Sequence, residues 1–204
     1  MKYLDKLKNM LKLDKNSKLF FIILLIAGLI TGSLFLVVLN NADKTLVTEY
    51  IESFIENINS INYIDSLKNS LLLNYLTIII IWIVGFSTFG FPINILITFW
   101  KSFLLGFIIA SFIFACGIKG VLYSFIYIVP SSIINLFIFM ILCSYSIKIS
   151  FKIINIIFYK KETKLHLNRY LLILITSIII ITLTSLFEVF ITPYLFKILI
   201  KLFS

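Results

Sequence analysis

An acidic and a basic side chain lie inside long apolar runs of this sequence, where ionisable residues are rare. They are Lys101 and Glu188. If the runs cross a membrane, each charge costs about 2.5–3.5 kcal/mol on insertion scales and is a functional candidate by default. Lys101 lies about eight residues, or ~12 Å, into its run, and Glu188 about seventeen residues, or ~25 Å. We therefore expect them at different depths. Lys119 is then the better-placed packing partner of Glu188, while Lys101 either reaches the inner headgroups or pairs internally.

The groups that build known catalytic and metal sites are otherwise missing from the apolar runs. The single histidine, His166, lies in a basic connection, so a zinc site with histidine ligands cannot be assembled. The sequence contains neither HExxH nor the phosphate-binding pattern GxxxxGK followed by Ser or Thr. A serine hydrolase needs a base such as histidine beside its nucleophile, and the apolar runs contain no histidine. A carboxylate dyad needs two acids, and Glu188 is the only acid in these runs. We expect no enzymatic activity, no metal and no cofactor.

The elements that must hold these residues are membrane helices. The chain has 204 residues, of which 61% are hydrophobic and 13% are charged. So little polar surface cannot cover a soluble domain of this size, which indicates an integral membrane protein. Apolar runs of about 20 residues or more can cross ~30 Å of hydrocarbon. They predict an all-α, five-span helical bundle that forms a single polytopic membrane domain over residues 1–204. The predicted spans are Leu19–Leu39, Leu71–Gly90, Ile93–Ala115, Val121–Ile147 and Leu171–Pro193.

The distribution of charge predicts the orientation of the bundle, because lysine and arginine are retained on the cytoplasmic side. The tail 1–18 and the loop 148–170 are basic and should be cytoplasmic, whereas the loop 40–70 is acidic and should be extracytoplasmic. The N-terminus is then cytoplasmic and the C-terminus extracytoplasmic. The net charge of +9 is accordingly a topology signal with weak attraction to anionic lipid, and it predicts no nucleic-acid binding. The assignment depends on Lys2, Lys6, Lys8, Lys12, Lys15 and Lys18, on Lys148, Lys152, Lys160, Lys161, Lys164 and Arg169, and on Asp43, Glu49, Glu52, Glu56 and Asp65.

The acidic loop contains an amphipathic pattern that predicts a helix over Thr45–Asn62, capped at its start by Asp43 or Thr45. One face of this helix is acidic, and the other carries apolar residues at helical spacing. The helix either rests on the outer leaflet or the bundle with its acids toward water, or it displays them as a docking surface for an extracytoplasmic partner. The two interpretations are compatible. The acidic face comprises Glu49, Glu52 and Glu56, and the apolar face comprises Val47, Tyr50, Ile51, Phe54, Ile58 and Ile61.

The stretch 85–107 interrupts its apolar run with residues that weaken a helix or are costly in lipid. Irregular backbone at membrane depth persists only where protein or a water-lined cavity covers it. We therefore expect a tight turn or a broken helix inside a packed bundle. Gly28 and Gly32 form a GxxxG pattern, which favours close packing within the bundle, with contact between copies as the second possibility. The interrupting residues are Gly85, Gly90, Pro92, Lys101 and Gly106.

Two motifs stand in a fixed order along the chain. The first is the spacing G-x-x-x-x-G-x-P from Gly85, followed by an apolar stretch, a lysine and a Gly-Phe pair. The second is EVFITPYL, Glu188–Leu195, which contains Pro193. Together they resemble the stage II sporulation protein M family, and the resemblance covers essentially the whole chain. Ser102 departs from the pattern, because the family usually has glycine after the motif lysine.

The resemblance implies a membrane protein of spore-forming bacteria that acts when the mother cell membrane migrates around the forespore. Members of the family are understood to gather peptidoglycan-degrading partners, the stage II sporulation proteins D and P, at the septal membrane. The protein is then a scaffold, with the acidic face as its outer contact and 85–106 as its structural centre. The alternative is a permease served by a separate cytoplasmic ATPase, because broken helices with buried charge also form transport pathways. In that case 148–170 would couple to the ATPase. Independently of this choice, the spacing of Lys148, Lys152, Asn155 and Tyr159 among apolar residues predicts that the fourth span continues as a lipid-anchoring interfacial helix up to the loop at Lys160–Lys164.

Overall fold

A computed structural model of the chain describes residues 15–160 and 167–203, and this described part consists of helices and the turns that join them. His166 and residues 1–14 of the basic tail lie outside the described residues. The α-helices are α1 (Lys15–Val38), α2 (Asn41–Glu56), α3 (Tyr63–Val84), α4 (Gly90–Cys116), α5 (Ile118–Tyr127), α6 (Val129–Tyr159), α7 (Leu167–Leu186) and α8 (Thr192–Phe203). A 3-10 turn, Asn57–Asn59, follows α2, and a π-helix, Phe187–Ile191, joins α7 to α8.

Five helical segments of the described chain are long and apolar enough to cross a membrane. They are α1, α3, α4, α6 and the continuous segment that runs from α7 through the π-helix into α8. The protein is therefore a multi-pass membrane protein, and the predicted all-α fold with five spans is confirmed. A larger share of α6 is buried inside the protein than of any other described span, so α6 forms the centre of the bundle.

The fourth predicted span, Val121–Ile147, begins too early, whereas its predicted helical continuation beyond Ile147 is confirmed. The helix is interrupted at Ile128, which separates α5 from α6. Pro130 lies in the first turn of α6. Proline is tolerated there because the first helical N–H groups have no partner within the helix, whereas inside a span it would remove a hydrogen bond. At its other end α6 continues to Tyr159. Residues 148–159 of the predicted cytoplasmic loop therefore extend the fourth span as one helix.

The second predicted span, Leu71–Gly90, is displaced toward the N-terminus. Helix α3 begins at Tyr63 because the side-chain oxygen of Asn62 accepts a hydrogen bond from the Ile64 N–H at 3.2 Å and so caps the helix. It ends at Val84. Polar residues that the sequence places before the span consequently lie inside α3.

The predicted outer helix is present, but α2 covers Asn41–Glu56 rather than Thr45–Asn62. The side-chain oxygen of Asn40 accepts a hydrogen bond from the Asp43 N–H at 2.7 Å. Asn40 is therefore the N-cap, and the prediction of Asp43 or Thr45 in that role was wrong. The reason is that Asn40 directly precedes the first helical residue, which is where a capping side chain must stand.

Replacing Asn40 with alanine should loosen the first turn of α2. Loss of an N-cap costs about 1 kcal/mol, which corresponds to roughly fivefold more frequent opening. Hydrogen exchange of the Asp43 amide in the detergent-solubilised protein measures this effect. Asn41→Ala, at the adjacent exposed residue, is the matched control, and equal exchange rates in the two variants would contradict the assignment of the cap.

Glycines bring α1 and α4 into close contact. A Cβ atom on Gly32 would meet the carbonyl group of Phe103, and one on Gly106 would meet the backbone of Leu29. Ser33 Oγ adds a hydrogen bond across this contact to the Gly106 carbonyl at 3.1 Å. In membranes, small residues allow such approach and the gain in packing that follows from it. The predicted use of the glycine pattern for packing within the bundle is confirmed.

The departure from the family pattern at Ser102 is explained by the same contact. Ser102 is fully buried on α4, and a Cβ atom on Gly28 would lie 2.9 Å from the Ser102 Cβ and would also meet its hydroxyl oxygen. The bare backbone of Gly28 therefore provides the space that the Ser102 side chain occupies. A small residue on α4 suffices here because the facing residue on α1 has no side chain.

Candidate functional site

The turn between α3 and α4, residues 85–89, is sealed by polar side chains from α6 and α7. Ser146 Oγ donates to the Ile81 carbonyl at 2.7 Å, and the Tyr170 hydroxyl donates to the Trp82 carbonyl at 2.9 Å. Both carbonyls lie in the last turn of α3, where helical acceptors lose their partners. Gly85 permits this approach, because a Cβ atom there would lie 2.7 Å from Ser146 Oγ and would meet the Tyr170 hydroxyl. The predicted tight turn is thus a closely packed part of the bundle.

The start of α4 packs against α6 in the same way. A Cβ atom on Gly90 would lie 2.7 Å from the Cβ of Ser150. Asn94 is fully buried and donates hydrogen bonds to the Gly90 carbonyl and to Ser146 Oγ, both at 2.7 Å. Pro92 lies in the first turn of α4 and is exposed, so its missing N–H leaves no helical hydrogen bond unmade. The motif glycines and proline therefore have structural roles at this turn.

A stripe of small and polar residues runs along α4 and was not predicted from the sequence. Every fourth residue from 90 to 106 is small or polar and buried, and residues spaced by four lie on one face of a helix. Thr98 Oγ1 on this stripe donates to the Asn94 carbonyl at 2.8 Å and lies 3.4 Å from Cys143 Sγ on α6. The spacing itself was the available signal, but the glycines were interpreted as helix breakers. The stripe consists of Gly90, Asn94, Thr98, Ser102 and Gly106.

A cavity of about 430 Å³ inside the bundle is lined by both ionisable residues of the predicted spans. Glu188 accepts a long hydrogen bond from Ser70 Oγ at 3.5 Å. Lys101 Nζ lies 5.4 Å from the centre of the Phe139 ring, within the range of a cation–π contact. Within residues 15–160 and 167–203, Lys101 and Glu188 form no direct ion pair. Other polar side chains of this charged cavity are Asn69, Asn74, Ser132 and Asn135.

Lys101, rather than Lys119, shares this cavity with Glu188, so the partner favoured by the sequence is corrected. The chain turns at Gly117, whose φ of 59° is a left-handed conformation that favours glycine. Lys119 consequently belongs to the separate short helix α5, which packs on α4 and α8. The prediction assumed a straight continuation of the third span, and the turn at Gly117 removes that assumption.

Glu188 also lines a second cavity, of about 470 Å³, which lies beneath helix α2. Ile51 and Phe54 of α2 and Phe112 of α4 contribute to its mainly apolar wall. Ser132 and Glu188 line both cavities, so the two spaces adjoin at these residues. The Glu188 carboxylate therefore lies where the charged cavity meets the cavity beneath α2.

Glu188 is positioned by the π-helix Phe187–Ile191, and Pro193 accounts for this local structure. In an α-helix the proline ring collides with the carbonyl four residues earlier, which here belongs to Val189. The wider π turn, in which the Thr192 N–H bonds to the Phe187 carbonyl, relieves that collision. Single π turns are frequent at functional sites. The acid and the proline of the second motif therefore form one structural unit.

The glutamates of the predicted docking surface are exposed on α2. On the opposite side, Ile51 and the following Ile58 are buried, and the Phe54 ring packs 5.1 Å from the Tyr127 ring between centres. Helix α2 is thus fixed to the bundle through its apolar side. The residues that it presents outward include Glu49, Glu52 and Glu56.

Comparison with known families gives these motifs an identity. A family model described as Stage II sporulation protein M matches residues 19–193. The chain belongs to this family. Neither a curated protein nor a solved structure gives a significant match to the chain. The family match begins in α1 and ends at Pro193, so it contains the glycine-rich turn, the charged cavity and the π-helix.

Membership in the stage II sporulation protein M family identifies the chain as a sporulation-related membrane protein. Its two motifs lie far apart in sequence but meet in the fold. Lys101 follows the first motif's turn and Glu188 opens the second motif, and both line the charged cavity. In this chain the family motifs therefore define a packed turn, a cavity with opposite charges and a π-helix.

Proposed function

We propose that this protein is a membrane scaffold of the sporulation engulfment machinery. In this role it anchors and recruits peptidoglycan-degrading partners, the stage II sporulation proteins D and P, at the septal and forespore membrane. The family match over residues 19–193 supports the proposal most directly. We further propose that the protein has no enzymatic activity of its own, because its ionisable residues lack the arrangements on which known hydrolases depend.

The outer helix α2 is the proposed recruitment surface. Its acidic row is exposed, while Ile51 on the other side is 5% exposed and holds the helix on the bundle. A helix fixed in this way offers its charges in a constant position, which reduces the ordering cost of binding. This requires α2 to be extracytoplasmic, with the N-terminus cytoplasmic and the C-terminus extracytoplasmic, as the basic tail and basic loop favour.

Co-purification of the tagged protein in mild detergent from sporulating cells tests the scaffold role. We expect recovery of the peptidoglycan-degrading partners. Recovery of a cytoplasmic ATPase without those partners would instead identify a permease. Residues 148–159 of the proposed coupling segment belong to α6 and form no separate helix among the residues described.

The combined substitution Glu49→Gln, Glu52→Gln and Glu56→Gln should reduce recovery of the outer partners severalfold while membrane insertion stays normal. Each glutamine keeps the size and helix preference of glutamate but removes the charge that attracts a basic surface. Co-purification yield, normalised to the amount of protein in the membrane, is the measurement. Lys68→Gln, which changes another exposed charge at the start of α3, is the control. Unchanged recovery with the triple variant would remove this surface from the proposal.

A further inference from the structure

The charged cavity has a neighbour on the lipid-facing side of the bundle. A groove of about 540 Å³ lies between α3 and α4, and its walls are almost entirely apolar. Ile80, Leu96 and Trp100 line this groove and are strongly exposed, so in a membrane they face lipid. Lys101 lines both the groove and the charged cavity. Its side chain therefore stands between lipid and the polar interior.

The two charges in the cavity are separated rather than paired. Lys101 lies beside the groove, whereas Glu188 lies on the side that adjoins the second cavity beneath α2. Charges removed from water are costly unless each has a partner. A ligand with one anionic and one cationic group would satisfy both. Asn74, Asn135 and Ser70 line the same cavity, and each also makes a hydrogen bond within the bundle. The volume of the charged cavity, about 430 Å³, lies in the range of ~300–1,000 Å³ that is typical of small-molecule sites.

The order of these features matches the order of groups in one class of lipid. From the membrane inward, the path runs from the apolar groove to the Lys101 ammonium, then to the charged cavity and finally to the Glu188 carboxylate. A phospholipid with an amino headgroup runs from the acyl chain to an anionic phosphate and then to a cationic ammonium. Lysine binds phosphate as a point charge, and a carboxylate accepts strong hydrogen bonds from a primary ammonium.

We propose that the charged cavity binds the headgroup of a zwitterionic lipid with a primary amine. The phosphate contacts Lys101, the ammonium contacts Glu188 and Ser70, and one acyl chain lies in the groove between α3 and α4. A choline headgroup fits less well, because its methylated nitrogen cannot donate hydrogen bonds to Glu188. A glycerol headgroup lacks the cation altogether. This site goes beyond the scaffold role and does not depend on it.

Native mass spectrometry of the full-length protein, delipidated in detergent, tests the proposal. The probes are short-chain phosphatidylethanolamine, phosphatidylcholine and phosphatidylglycerol, with soluble phosphoethanolamine as a fourth. We expect phosphatidylethanolamine to bind about tenfold more tightly than the other two lipids, as a charge-assisted hydrogen bond provides. Equal binding of all three lipids overturns the proposal. Phosphoethanolamine that competes as strongly as the intact lipid would overturn the lipid assignment and leave a site for a soluble zwitterion.

Two substitutions separate a binding role from a structural one. Glu188→Gln should abolish the preference for phosphatidylethanolamine over phosphatidylcholine but leave phosphatidylglycerol binding unchanged. Lys101→Met should weaken all three lipids, and Lys101→Arg should restore binding. Lys68→Met, at an exposed position on α3, is the matched control. A preference that persists in Glu188→Gln contradicts the proposal, and the selectivity of the unaltered protein decides the matter even if a variant fails to fold.

Discussion

Replacing Gly32 with leucine is expected to separate α1 from α4 and to lower the thermal stability of the bundle markedly. An added Cβ would meet the Phe103 carbonyl and would lie 3.0 Å from the Phe107 backbone nitrogen. Backbone atoms cannot rotate away as side chains do, so the helices themselves must move. Overpacking of this kind costs about 1–3 kcal/mol, and the moved helices also lose the Ser33–Gly106 hydrogen bond.

The midpoint of thermal unfolding in detergent measures this loss of stability. Thr31→Leu is the matched control, because Thr31 precedes Gly32 on α1 and is exposed on the lipid-facing side. The control should unfold near the temperature of the unaltered protein. A Gly32→Leu variant as stable as Thr31→Leu would show that the contact between α1 and α4 is not close in the folded protein.

Gly85→Leu is expected to have an effect of similar size at the turn between α3 and α4. The new side chain would displace Ser146 and Tyr170, whose hydroxyls bond the Ile81 and Trp82 carbonyls. The cost then includes overpacking of about 1–3 kcal/mol and about 1–3 kcal/mol for the Trp82 carbonyl, whereas the Ile81 carbonyl still accepts from the Gly85 N–H at 3.3 Å. The turn should open, and accessibility to limited proteolysis there should rise.

Limited proteolysis and thermal unfolding, measured together, distinguish local opening from general destabilisation. Phe89→Leu is the control in the same turn, since the Phe89 side chain is 68% exposed and seals nothing. Tyr170→Phe removes one of the hydroxyls without adding volume and should give a smaller loss of stability. If Gly85→Leu resists proteolysis as well as Phe89→Leu does, the polar seal is not what closes the turn.

The spans could be predicted from the sequence because bilayer thickness fixes a minimum length of apolar chain. The break at Ile128 was not predictable from hydropathy, since apolar residues continue on both sides of it. Pro130 was the available signal, but a proline inside a membrane span is tolerated when neighbouring groups satisfy the freed backbone. Its position in the first turn of a new helix became evident only in three dimensions.

The candidate site was predicted in parts. Lys101 and Glu188 stood out because their charges conflict with apolar surroundings, whereas Asn94 and Ser146 did not, since uncharged polar residues are common in membrane helices. Their partners are backbone carbonyls at a helix end, and a linear sequence does not show which carbonyls lie within reach. The shared cavity likewise depends on how α3, α4, α6 and the π-helix pack, which helical counting along each span cannot supply.

The close contact between α1 and α4 also affects the biosynthesis of the protein. Gly32 is synthesised roughly 70 residues before Gly106. At ordinary rates of synthesis this interval lasts about 4–15 seconds. During that interval α1 is already in the membrane while the backbone that fits its glycines has not yet been made. Its glycine face must then be covered by lipid or by the insertion machinery. A nascent chain halted before α4 would therefore lack the helix that covers this face in the folded protein.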